Sequence, residues 1–185
     1  MPKVILGLGV TCLLMLAGIA LWVDRPAPTR GILTGAPAVE KIDATAGAIY
    51  SVGFPDLDGR EQSLGQWQNK LLVINFWATW CAPCKEEMPI FAKLQKKYGS
   101  RGLQIVGIAV DSSANVANFS QKSPMGYPLL VDEARAIEFS KRLGNRLGLL
   151  PFTLVLKPGG DVIFTRLGLV TEREMVDLIV KNLVK

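Results

Sequence analysis

Residues 71–77, LLVINFW, are the stretch that most restricts what this chain can become. A run this apolar on both alternating faces suits a central strand covered on both sides. After three intervening residues comes Cys81-Ala-Pro-Cys84, which opens a helical pattern reaching Tyr98, with Phe91, Leu94 and Tyr98 on one side. A buried strand running through a short loop into a helix is the building unit of an α/β sheet.

The rest of the chain from Ile49 onward agrees with that unit. Asp58-Gly59 is a turn dipeptide and predicts a hairpin. Residues 103–110 read as a second buried strand, 112–123 as a short helix and 127–131 as a short strand. Asp132 is placed to cap a helix over 132–143. Residues 152–156 and 161–165 predict a hairpin across Pro158-Gly159-Gly160. Thr171 and Glu174 have the spacing of a capping box, followed by Met175, Leu178, Ile179 and Leu183 on an inner face. The order predicts one α/β domain with a mixed sheet over residues 49–185, without internal repeats.

The N-terminal part is of another kind. Residues 4–23 carry no charge, and their length matches a helix that crosses a bilayer. Lys3 precedes the run, Asp24 and Arg25 follow it, and Trp22 sits where an interfacial aromatic belongs. A cleaved signal peptide ending near Ala17–Ala20 is the competing reading. Because apolar residues continue through Val23, a transmembrane signal anchor over 1–23 is favoured, with the remainder exported. Residues 24–48 are rich in Pro, Ala, Gly and Thr, lack periodicity and read as a tether. A flexible chain of that length spans roughly 25–30 Å root-mean-square.

Composition excludes several kinds of chemistry. The chain has no histidine, so Ser/His and Cys/His catalytic pairs are ruled out, and the usual zinc and copper ligands are missing. The third cysteine, Cys12, lies in the N-terminal apolar run, which leaves Cys81 and Cys84 without further thiolates for a zinc site. No metal is expected. The net charge of +5 is scattered, densest at Lys93, Lys96, Lys97 and Arg101, as on a solvated helix face. No nucleic-acid motif accompanies it, and no nucleic-acid partner is expected.

Cys-x-x-Cys at a strand-to-helix junction has a physical use. Free backbone N–H groups and the positive end of the helix dipole favour an anion at Cys81, hence its thiolate. Cys84, one turn later, should be more buried and able to attack a mixed disulfide formed on Cys81. Pro83 suits the first turn, where a missing N–H costs little. Trp80 and Ala82 are uncharged, so a partner's backbone can approach, while Pro89 should kink the helix. A purely structural disulfide at this spacing would close only two intervening residues and stabilise little. The pair therefore reads as redox-active.

The segment NFWATWCAPCKEEMP resembles the active site of the thioredoxin superfamily, and is most similar to that of the membrane-anchored TlpA/ResA-like thiol–disulfide oxidoreductases of bacteria. LLPFTLVLKPGGDVIF resembles that family's cis-proline loop and the hairpin after it. The resemblance implies a thioredoxin-like fold: a mixed central sheet flanked by helices, with an N-terminal hairpin, a helix–strand insertion over 112–131 and one preceding transmembrane helix. It implies Cys81 and Cys84 as catalytic residues, with their reversible disulfide in place of any other cofactor. It also implies that Pro151 is cis and packed against Cys81, and that the Leu150 backbone pairs with the incoming chain. Trp80 and Pro83 complete the substrate-binding set. One departure stands out. Asn75 occupies the place of thioredoxin's buried Asp, and an amide cannot titrate, so it is read as a hydrogen-bonding residue beneath the site. The general base is left unassigned: Glu86 and Glu87 follow Cys84 closely on the helix without being singled out, and Lys85 reads as a solvated charge.

The expected reaction is exchange, in which Cys81 attacks a target disulfide and Cys84 resolves the intermediate. With only Ala and Pro between the cysteines, nothing charged adds stabilisation to the thiolate, so the expected direction is reduction. The resemblance implies exported protein targets, such as apocytochrome c or copper-site cysteines. It further implies a membrane electron donor of the DsbD or CcdA type, and a single-pass location in the bacterial cytoplasmic membrane with the domain on the periplasmic or extracytoplasmic side. Three alternatives compete. A thiol peroxidase of the same fold needs a Thr three residues before its cysteine, where this chain has Ala78. A Cu(I)-binding or assembly module could use two soft thiolates, but no Met or His cluster supports it. A holding or chaperone role would leave function intact in Cys81→Ser.

Overall fold

The computed structural model of the protein describes residues 45–183. The expected membrane anchor (1–23) and nearly all of the expected tether (24–48) lie outside the described residues. Among the described residues, no helix is long and apolar enough to cross a membrane.

The first element among the described residues is a short helix α1 (Ala46–Tyr50), which begins ahead of the expected Ile49 boundary. The Thr45 hydroxyl caps it by accepting from the Ala48 N–H at 3.3 Å, and Ile49 is buried. Five residues give too little periodicity to be seen in the sequence. The Asp58-Gly59 hairpin follows as β1 (Gly53–Pro55) and β2 (Glu61–Ser63), antiparallel with Phe54 opposite Gln62. Gly59 turns it at φ +80°, a left-handed conformation that suits glycine. This ribbon forms a two-stranded sheet of its own.

The main sheet has five strands: β3 (Leu71–Trp77), β4 (Leu103–Ala109), β5 (Leu129–Val131), β6 (Phe152–Leu156) and β7 (Val162–Leu167). Their spatial order is β5-β4-β3-β6-β7. The β3–β4 and β4–β5 pairs are parallel, and β3–β6 and β6–β7 antiparallel. The helices are α2 (Ala82–Tyr98), α3 (Ser113–Lys122), α4 (Glu133–Arg142) and α5 (Glu172–Asn182). This is the thioredoxin-like arrangement, and α3 with β5 supplies the helix and strand expected over 112–131. Asp132 caps α4 as expected, its carboxylate accepting from the Arg135 N–H at 2.9 Å. The capping box of α5 forms by half. Thr171 accepts from the Glu174 N–H, but the Glu174 carboxylate turns to the Arg166 guanidinium.

Every residue of β3 is buried, and its alternating side chains feed two cores. Leu72, Ile74 and Phe76 join Ile49, Phe54, Phe139 and Phe152 on one face. Val73 and Trp77 join Met88, Phe91, Met175 and Ile179 on the other. Register then decides what meets at one end of the sheet. Trp77 pairs with Ala109, Phe76 with Phe152, and Phe152 with Leu167. The loops leaving β3, β4 and β7 and the loop entering β6 therefore converge there.

Candidate active site

Cys81 is the N-cap of α2, in extended backbone conformation, and its Sγ accepts the Cys84 N–H at 3.2 Å. The sulfur thus occupies the position of a capping oxygen, on one of the amides that a helix start leaves unpaired. Cys81 and Cys84 are joined as a disulfide with Cα atoms 5.3 Å apart. Both are buried, Cys84 completely, while Trp80, Ala82 and Pro83 are exposed around them. The helix runs through Pro89 to Tyr98, the length its sequence pattern predicts.

A carboxylate braces the loop in front of Cys81. Asp111, just beyond β4, accepts from the Thr79 N–H (2.9 Å) and hydroxyl (2.6 Å) through Oδ2. Its Oδ1 accepts from the Ser112 N–H (2.7 Å) and from Asn115 Nδ2 (2.9 Å). Burial alone would raise its pKa, but the donors from Thr79, Asn115 and Ser112 outweigh burial and hold it below the usual carboxylate range. Asp111 is a fixed negative charge that ties the β3 exit to the β4 exit.

Three residues beyond Cys84 on α2 lies a second carboxylate, which the sequence alone does not single out. Glu87 is completely buried. Its Oε1 accepts from Asn75 Nδ2 at 2.7 Å and its Oε2 from the Val170 N–H at 3.2 Å. Asn75 Nδ2 also donates to Thr153 Oγ1 at 3.1 Å, which gives Asn75 its expected role as a hydrogen-bonding residue under the site. Burial pushes Glu87 up to about 7, because two donors offset only part of the lost hydration. Burial and the nearby Glu87 charge also raise the Tyr127 phenol. A signal for Glu87 did exist. It follows Cys84 by three residues and precedes Met88, so it falls on the inward stripe of α2.

The Leu150–Pro151 peptide is cis. The Pro151 carbonyl accepts from the Gly168 N–H at 2.8 Å, which joins the β6 entrance to the β7 exit. The structure thus brings Trp80, Cys81, Pro83 and Cys84 to the same end of the sheet as half-buried Leu150 and buried Pro151. Among the described residues, no three His, Cys, Asp or Glu side chains gather as a metal site. The arrangement is that of a reversible dithiol: a capped sulfur near the surface, a deeper one a turn away, and a buried acid one turn below that.

The chain is similar to several known proteins. The Redoxin family's sequence model matches residues 35–179. The thiol-disulfide oxidoreductase ResA of Bacillus subtilis (strain 168) is 32% identical over 131 residues, covering 70% of this chain and 70% of its own. ResA of Geobacillus thermodenitrificans (strain NG80-2) is 31% identical over 138 residues, covering 72% of this chain and 77% of its own. Among solved structures, a thioredoxin-related protein from Neisseria meningitidis serogroup B is 36% identical with a TM-score of 0.63, covering 70% of this chain and 97% of its own. A thiol:disulfide interchange protein of the thioredoxin family from Chlorobium tepidum TLS is 28% identical with a TM-score of 0.62, covering 72% of this chain and 94% of its own.

Proposed function

The chain belongs to the Redoxin family and is a thiol–disulfide oxidoreductase, and from that premise we propose that it reduces disulfides in exported proteins, with Cys81 as nucleophile and Cys84 as resolving thiol. The observation that carries the assignment is the Cys84 N–H directed at Cys81 Sγ from the first turn of α2. In the reduced protein, the same amide and the helix dipole favour a thiolate at Cys81.

The cycle balances with two cysteines and one acid. The Cys81 thiolate attacks one sulfur of a target disulfide, and that bond breaks, releasing one target thiolate and leaving a mixed disulfide. Cys84 loses its proton and attacks Cys81 Sγ, which expels the second target thiolate. The target gains two electrons and the pair ends as the Cys81–Cys84 disulfide. Glu87 takes the role left open by Asn75: buried on the stripe below Cys84, with an affinity for protons near neutrality, it accepts the Cys84 proton. Trp80, Pro83, Leu150 and Pro151 form the surface against which the target chain lies.

The reading extends to direction and place. Ala82 and Pro83 add no charge to stabilise the reduced form, as a strong oxidant requires. Residues 1–23 hold the domain to the cytoplasmic membrane through the 24–48 tether, on the extracytoplasmic side. A membrane carrier of the DsbD or CcdA type re-reduces it, and apocytochrome c or copper-site cysteines are the targets. Equilibration with thiol redox buffers tests the direction. A potential near thioredoxin's, about −270 mV, is expected, and one near about −120 mV would make the protein an oxidant. Trapping tests the targets: Cys84→Ser should accumulate mixed disulfides on Cys81 with exported proteins, identified by mass spectrometry, and their absence in cells would remove the proposed substrates.

A further inference from the structure

The loop entering β6 is built around one buried amide. Asn145 Nδ2 donates to the Leu149 carbonyl at 2.9 Å, and its Oδ1 accepts the N–H of the same residue at 3.1 Å. The Asn145 carbonyl accepts from the Gly148 N–H at 2.8 Å, and its own N–H reaches the Ser140 carbonyl at 3.0 Å, at the end of α4. One side chain thus closes residues 145–149 into a ring. Gly148 completes it at φ +62°, where an added Cβ would stand 2.7 Å from Ile137 Cδ1. A ring with this many fixed hydrogen bonds has little freedom left to lose on binding.

What the ring displays is apolar. Leu147 is 76% and Leu149 51% exposed, immediately before the Leu150–Pro151 peptide. Leu169 is 45% exposed, yet its neighbours are both fastened, Gly168 to the Pro151 carbonyl and Val170 to Glu87. Trp80 is 67% exposed beside Cys81. These four are all but one of the exposed large apolar side chains among the described residues, the other being Val180 on α5. Single exposed leucines are ordinary, but their concentration on braced loops around one site marks a contact surface.

We infer that the Asn145 ring is a specificity device: it holds Leu147 and Leu149 exposed on the loop that enters β6, at the end of the sheet that also carries the Trp80 and Leu169 loops, so that they receive apolar side chains flanking the attacked cysteine of an extended polypeptide. The inference rests on the exchange reading and names the class of substrate that site takes. Exchange requires a second sulfur in line with Cys81 Sγ, so the chain bearing it must pass over this end of the sheet. An extended chain advances about 3.3 Å per residue, so only residues near the attacked cysteine can reach these side chains. Asn145 is a positioning residue here, acting through the leucines it presents.

The test uses reduced protein and three oxidants: a peptide disulfide with leucines on either side of its cysteine, the same peptide with serines there, and hydroxyethyl disulfide, which has no flanking residues. Leu147→Ser with Leu149→Ser alters only exposed side chains. It should cut kcat/KM for the leucine peptide about tenfold through KM, as loss of partial burial of two leucines implies. The serine peptide and the small disulfide should change less than about twofold. Asn145→Ala should show the same KM-confined loss with the small-disulfide rate intact. An unchanged leucine-to-serine preference in the double variant, with the small disulfide still reduced, overturns this inference alone. A wild-type protein that fails to reduce even the small disulfide overturns the exchange reading, and this inference with it.

Discussion

Glu87 and Asp111 are both carboxylates withdrawn from water near one redox loop, yet the protein drives them in opposite directions. Asp111 stands at the rim, where Thr79, Ser112 and Asn115 surround it with four donors. Glu87 lies in the floor, where only Asn75 and the Val170 amide reach it. Each lost water has to be replaced by a donor for charge to persist. At the rim the replacement suffices and the acid becomes a permanent strut. In the floor it falls short, and the acid is left able to exchange a proton at neutral pH. The contrast separates a group that holds the loop still from one that changes charge with the chemistry.

The largest expected effect is on the strut. Asp111→Ala should cost about 4 kcal/mol at pH 7, measured by denaturant unfolding, because four donors lose a charged acceptor at once. A cost below about 1 kcal/mol would mean that the loop is held by something else.

Next comes the dependence of stability on pH. The folded-state affinity of Glu87 for protons, near pH 7, lies above its ordinary value of 4.5. The native state therefore binds that proton more tightly than the unfolded chain. Its stabilising contribution is complete below pH 4.5 and is lost as pH rises through 7, a fall of order 3 kcal/mol. Asp111 has the opposite sign: its contribution is present above about 3.8 and is lost only as pH falls through its lowered value. The chain has no histidine, the side chain that ordinarily titrates within this interval. Unfolding at several pH values should show Glu87→Gln flattening the slope there. If Asp111→Asn flattened it equally, the two roles would not be separate.

Kinetics should sharpen the same contrast. Glu87→Gln should slow resolution of a preformed Cys81 mixed disulfide by about a hundredfold and abolish its inflection near pH 7. Stopped-flow thiol release would measure it, and an unaltered pH profile would remove Glu87 from proton transfer. The smallest change belongs to Thr79→Val. Losing the 2.6 Å hydroxyl bond while keeping the amide bond to Asp111 should cost about 1 kcal/mol and leave the pH slope alone.

Much of the fold was legible because its signals are local or saturated. The 71–77 run could only be a covered strand, and Asp58-Gly59 and Asp132 each carry their own hydrogen-bonding logic. The cysteine pair was legible for the same reason, since its spacing and its place at a helix start state the chemistry. What escaped depended on contacts distant in sequence. The helical stripe places Glu87 inward, but its partners, Asn75 twelve residues back and Val170 eighty-three ahead, show only in the folded chain. Asn145 among glycines reads as a loop residue, because only the folded α4 and the turn at Gly148 reveal what its amide holds.

The account turns on the inequality of two sulfurs three residues apart, and alkylation of the fully reduced protein measures it directly. Iodoacetamide labelling across pH 5–9, with each cysteine quantified by mass spectrometry, should find Cys81 labelled well ahead of free cysteine at pH 6–7 and Cys84 protected. Equal labelling of both at the rate of free cysteine would contradict it.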